Sequence, residues 1–159
     1  MKKIPPFEFF NPTKRLDINK IFVRELNQSW YHAGLPGVSN DIEGTASFLR
    51  GKIDEHDIKR VIFLGNSMGG YAAILFGILV GVDLVHAFVP HTTLNDPDLV
   101  RSKERLKYLH DNFPDEFFDL RKVIKRHKPS ACIHVHFGGK NEIDTRHASH
   151  LEHCRNVVL

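Results

Sequence analysis

Four consecutive apolar residues, Val61-Ile62-Phe63-Leu64, run into Gly65-Asn66-Ser67-Met68-Gly69-Gly70, and these run into an apolar stretch over residues 71–82. A short apolar run with no polar alternation suits a strand covered on both faces, as strands of parallel sheets are. A longer stretch that is apolar nearly all round suits a helix packed in the interior, here predicted over residues 70–80. Parallel neighbours cannot be joined by a hairpin, so a buried strand that turns straight into a buried helix points to an α/β fold.

The rest of the chain fits that frame. Residues 7–10 and, more strongly, 20–26 read as strands rich in β-formers. A polar, aromatic loop follows at residues 27–32, broken by Gly34, Pro36 and Gly37. Ile42, Ala46, Leu49 and Ile53 recur at helical spacing and predict a helix over residues 40–53. Residues 84–89 form the next strand, stopped by Pro90. Asp96-Pro97 looks like a helix start, a capping carboxylate before a first-turn proline. A second helix is expected from about 114 to 129, a strand over 131–137, a short helix over 145–153 and a last strand over 156–159. The prediction is one domain over residues 1–159: a mostly parallel sheet with helices on both faces, in three layers. Because the sequence stops inside an apparent strand, that layered domain is expected to be incomplete.

Composition narrows the function classes. Hydrophobic residues at 42% and charged residues at 26% are ordinary for a globular chain, and the formal charge is +3. The densest basic stretch, Arg121, Lys122, Lys125, Arg126 and Lys128, shares a helical pattern with Phe117, Leu120 and Ile124. It reads as a solvated helix face, so no nucleic-acid partner is expected. Cys132 and Cys154 are too few for a disulfide framework, and a reduced, cytoplasmic protein is expected. Met1-Lys2-Lys3 is followed by Pro5-Pro6 and Glu8, which break any export signal. The apolar stretch at 71–82 falls short of the roughly 20 residues a membrane span needs.

The chemistry sits at Gly65-Asn66-Ser67-Met68-Gly69. A sharp strand-to-helix turn projects a serine out of the fold, and a base must then take its proton for the hydroxyl to attack. Glycines at 65 and 69 are expected because side chains there would collide in so tight a turn. The next N–H, that of Met68, would donate to a developing oxyanion. A phosphate-binding loop would need a lysine after its glycines, and a dinucleotide fingerprint would need a different glycine spacing. A plainer alternative is a turn in which Ser67 only caps the helix.

These residues resemble the α/β-hydrolase superfamily. Val61 through Ala73 looks like its fifth strand, elbow and following helix; residues 84–92, 133–144 and 156–159 are similar to its sixth, seventh and eighth strands. Residues 20–37, with Trp30-Tyr31-His32, look like its fourth strand and loop. The resemblance implies a Ser67 nucleophile and an acid after the seventh strand, either Asp144 or Glu142, with aspartate the commoner residue there. It also implies a histidine after the eighth strand, where this sequence ends. A base within the chain would be His147, close to Asp144, or else His91, just past a strand's carboxyl end. The implied function is a serine hydrolase or acyl transferase acting on an ester or thioester, with a small-molecule acyl substrate and no cofactor. The alternative is a truncated, catalytically inactive domain that serves as a binding or interaction module.

Eleven histidines invite a metal reading. His134 and His136 share one face of a strand, and His147, His150 and His153 recur on a short helix. Either set would need a further converging ligand to hold zinc, and no metal is expected. Trp30, Tyr31 and His32 either line the substrate pocket or cover an edge of the core.

Overall fold

A computed structural model of the chain describes residues 7–159. Among them, one sheet of four parallel strands runs in chain order: β1 (Ile62–Asn66), β2 (Leu84–Phe88), β3 (Cys132–His136) and β4 (Val157–Val158). Six α-helices accompany it: α1 (Phe10–Thr13), α2 (Ile42–Glu55), α3 (Met68–Val80), α4 (Lys103–Asn112), α5 (Leu120–His127) and α6 (Glu142–His150). The α/β fold around a parallel sheet is the one the sequence predicts.

Strand order dictates how the layers fill. Right-handed crossovers between strands laid down in sequence all land on the same face of the sheet. That face is dry: Val85, Ala87 and Ile133 are fully buried and Val135 is 3% exposed. α3 packs on β1 and β2, and α5 and α2 pack on α3. Gly77 lets α3 press close, since a Cβ there would lie 2.5 Å from Val85 Cγ2. The opposite face carries the alternate residues. At its upper end it meets the segment leading into α1, where Phe9 lies 5.6 Å from Phe88 and Glu8 accepts from the Asn66 amide. Lower down, Ile62 and Leu64 are exposed. The helices therefore divide unequally between the two faces.

Several predicted elements shift. Residues 7–10 are a turn entering α1, not a strand. Residues 20–26 join no ladder, although their β-formers suggested a strand. Their partners are rings instead: Phe22 packs on Phe7 and Phe10, and the Arg24 guanidinium lies over Phe7. The Asp96-Pro97 helix start is a local turn in which Asp96 accepts from the Asp98 N–H. The helix begins at Lys103, capped by Ser102. The helix predicted from 114 to 129 is a single 3-10 turn, Asp115–Phe117, followed by α5. Asp119 divides them by accepting from the Arg121 and Lys122 N–H groups, a cap that starts a new helix.

Candidate active site

Ser67 stands between the last residue of β1 and the first of α3, with φ 54° and ψ −116°. Few non-glycine residues occupy such a conformation, and holding one there costs about 1–3 kcal/mol. Its neighbours impose it. The Ser67 N–H donates to Phe88 O at 2.8 Å, tying the turn to the end of β2. Its carbonyl accepts from the Tyr71 N–H at 3.0 Å, which closes the first turn of α3. A Cβ on Gly65 would sit 1.9 Å from Gly69 O, so only glycine fits there. A Cβ on Gly70 would also be crowded, 3.0 Å from Phe88 O and 3.1 Å from Pro90. At Gly69 the expected collision is absent, since a Cβ there would meet nothing within 4 Å. The Ser67 side chain does not cap α3, and no described group hydrogen-bonds its Oγ. The Met68 N–H is likewise unclaimed in the first turn.

The hydroxyl opens on a cleft of about 380 Å³. Its walls come from beyond the carboxyl ends of three adjacent strands: Ser67 and Met68 after β1, Val89 and His91 after β2, Asn141, Ile143 and Asp144 after β3. This is where open α/β sheets hold ligands. Trp30 and the 99–105 segment complete it, and the latter brings two guanidinium groups, Arg101 and Arg105. Trp30 and Val89 line it with positive φ, 49° and 39°. With Ser67, three of the nine described non-glycine residues of positive φ line this cleft.

The Trp30 loop is fastened from below. Glu25 Oε2 accepts from the Ser29 N–H at 2.6 Å. His32 donates through Nε2 to Tyr71 Oη at 3.1 Å, and Tyr71 in turn donates to Phe117 O at 2.7 Å. Burial lowers the His32 pKa to about 4 and raises that of Tyr71 well above its ordinary value, so both stay neutral. His32 and Tyr31 are core residues, whereas Trp30 is both core and cleft wall.

The other expected residues separate clearly. Asp144 lines the cleft, half-buried, and its carboxylate has no partner among the described residues. It is not the helix cap, because Asn141 accepts from the Asp144 N–H. Glu142 is exposed and does not line the cleft. His147 also borders the cleft but is 2% exposed and engaged on both sides. Its Nδ1 accepts from the Thr92 N–H at 3.1 Å and its Nε2 donates to Leu99 O at 3.1 Å. Burial lowers its pKa, partly offset by the Leu99 carbonyl, so His147 is a neutral brace with no free nitrogen to offer Ser67. His91 Nδ1 accepts from the Trp30 indole N–H at 2.9 Å. Burial, then His147 and Arg101, bring the His91 pKa down to about 4. None of the links from Trp30 to His91, from Thr92 to His147, or from Arg101 and Arg105 to the cleft has a local signal in the sequence.

The histidine repeats assemble no metal-holding group among the described residues. His134 and His136 lie on the outer sheet face in a stack with His86, and His86 Nδ1 approaches His136 Nε2 at 3.0 Å. His150 pairs with Asp119 at 2.8 Å, while His147 is buried and His153 exposed. Among the described residues, no group of three or more histidine, cysteine or acidic side chains is placed to hold a metal ion. None of the described helices is long and apolar enough to cross a membrane.

What the strands, the bend and the cleft define is an α/β protein with a strained serine at the carboxyl end of a parallel sheet. Comparison with protein-family models, with curated proteins and with solved structures yields no match to this chain.

Proposed function

We propose that this chain is a serine hydrolase or acyl transferase of the α/β-hydrolase kind, acting on an ester or thioester of a small molecule. One observation carries the reading: Ser67 is held in a strained bend between β1 and α3, with an unclaimed hydroxyl facing a cleft. Strain of this sort persists where surrounding structure enforces it, and it clusters at functional sites. Ser67 Oγ attacks the acyl carbonyl carbon and gives its proton to a base. The bond to the alcohol or thiol breaks, the leaving group takes a proton, and water or an acceptor alcohol then releases the acyl group from Ser67. The Met68 N–H, at the positive end of α3, donates to the carbonyl oxygen as it becomes an oxyanion. Asp144 is the acid that orients the base, since it alone of the two candidates lines the cleft. Neither His147 nor His91 is assigned the base: each has Nδ1 occupied as an acceptor. The proposed setting is cytoplasmic, where Cys132 and Cys154 would remain thiols.

A fluorophosphonate probe, which phosphonylates activated serines, tests the reading. Labelling of the wild-type protein that disappears in Ser67→Ala supports it, and labelling that survives the change removes Ser67 from the mechanism. A second reading, a binding module on the same fold, draws on the lack of any described base hydrogen-bonded to Ser67 Oγ. It predicts ligand binding in the cleft with no turnover of nitrophenyl esters, in wild type and Ser67→Ala alike.

A further inference from the structure

We propose that His91 acts in the Ser67 reaction as a neutral hydrogen-bond donor, presenting its Nε2–H to the substrate oxygen opposite the Met68 N–H. The proposal rests on Ser67 being the nucleophile. It follows from which ring nitrogen is already occupied and from the place of His91 in the cleft wall. An indole nitrogen can only donate, so the Trp30–His91 contact of 2.9 Å requires an unprotonated Nδ1 on His91. A neutral imidazole with a bare Nδ1 carries its proton on Nε2. That nitrogen has no hydrogen-bond partner among the described residues, and it is not sealed from solvent in the way Glu25 Oε1 and Arg121 Nε are.

The position suits the task. Phe88 O receives the Ser67 N–H, Pro90 packs against Gly70 in the first turn of α3, and His91 is the next residue. The strand end that clamps the bend therefore also delivers the imidazole to the wall of the same cleft. Thr92, one residue on, is anchored by its N–H to His147 Nδ1 and by its hydroxyl to His147 O at 2.7 Å. His91 is thus fixed through its own ring by Trp30 and through its neighbour by His147. The ring faces Trp30 at 5.7 Å and His147 at 5.3 Å, and burial, His147 and the Arg101 charge all disfavour the imidazolium. Neutral imidazole is the form that can donate from Nε2 while accepting at Nδ1. Two donors from separate strand ends would then converge on one oxyanion, each contributing only as negative charge develops.

The experiment has a readout for each layer. Long-range ¹H–¹⁵N spectra at pH 7 should show His91 as the Nε2–H tautomer. Trp30→Phe, which keeps a ring but removes the indole N–H, should mix the tautomers. The rate of fluorophosphonate labelling, and of nitrophenyl ester turnover, should fall about 100-fold in His91→Ala, the scale of losing one oxyanion donor. It should fall much less in His91→Gln, which keeps an N–H donor and guards against a loss due to misfolding. An Nδ1–H or cationic His91 at pH 7 overturns the proposal. So does wild-type labelling speed in His91→Ala when Ser67→Ala abolishes labelling. If the wild-type protein is not labelled, or Ser67→Ala is, then the nucleophile reading has failed and takes this role with it. The tautomer measurement stands apart from that outcome.

Discussion

Two hollows lie at opposite ends of the same sheet, and they are chemically unlike. The one at the amino ends of β1 and β2 is about 260 Å³, lined by residues such as Arg50, Asp54, Val61, Gly81 and Asp83. Two of its charged side chains are committed to backbone groups. Asp83 accepts from the Val61 N–H at 2.7 Å, and Arg50 donates to Leu79 O at 2.6 Å, where α3 ends. Among its lining residues only Gly81, an ordinary helix-ending glycine, has positive φ. The hollow at the carboxyl ends is built the opposite way. Ser67 Oγ, the Met68 N–H and the Asp144 carboxylate are all unpaired among the described residues, and three strained non-glycine residues surround them. Concavity alone therefore says little. Unspent hydrogen-bonding capacity, held in place by strain, marks the end of the sheet where chemistry is expected.

That contrast can be broken by substitution. The largest effect is expected at Gly65→Ala, where the new methyl group meets Gly69 O and forces the bend open. A loss of about 3 kcal/mol or more is expected, at or beyond the upper end of overpacking costs, and thermal unfolding of the variant measures it. An unchanged Tm would mean the turn is not clamped as described.

Acid should come next, and it should act at the cleft side. His32 titrates at about 4 in the folded protein and near 6.5 when unfolded. Between those values the unfolded chain binds the extra proton, so stability is complete above about pH 6.5 and is lost as pH falls toward 4. The shift corresponds to about 3 kcal/mol for His32, and His91 and His147 act in the same direction. Denaturant titrations from pH 7 to pH 4 should show the decline, and His32→Gln should make it shallower, leaving the part due to His91 and His147.

A smaller gain should come from Ser67→Gly. Glycine accepts the Ser67 backbone angles freely, so the variant should be more stable by about 1 kcal/mol while losing all labelling, a trade of strain against activity. Smallest of all is Arg50→Ala at the other hollow. Losing one solvent-exposed hydrogen bond should cost at most about 1 kcal/mol and leave labelling untouched. A strong effect on labelling there would erase the distinction between the two ends.

The alternation of strands and helices was legible because burial writes itself into local pattern. The apolar run before Gly65 and the apolar helix after Gly70 read correctly for that reason. Residues 20–26 misled because β-formers also suit a segment that packs by its rings, as Phe22 does, and no local signal announces a missing neighbour strand. The break at Asp119 was hidden inside a continuous helical pattern, since capping depends on where one carboxylate turns. At the site, Ser67, Met68 and Asp144 could be nominated from motif and order along the chain. The states of His91 and His147 could not, because they depend on Trp30 and Thr92, which lie 61 and 55 positions away. The histidines at 134 and 136 invite a metal reading for the same reason in reverse, yet their stack with His86 forms no metal-holding group among the described residues.

The most direct test of the central claim is the site of covalent modification by a fluorophosphonate probe, read by mass spectrometry of the labelled protein. A single adduct on the peptide carrying Ser67, absent in Ser67→Ala, is the predicted result. An adduct elsewhere, or an unmodified Ser67 in a folded protein, would contradict it.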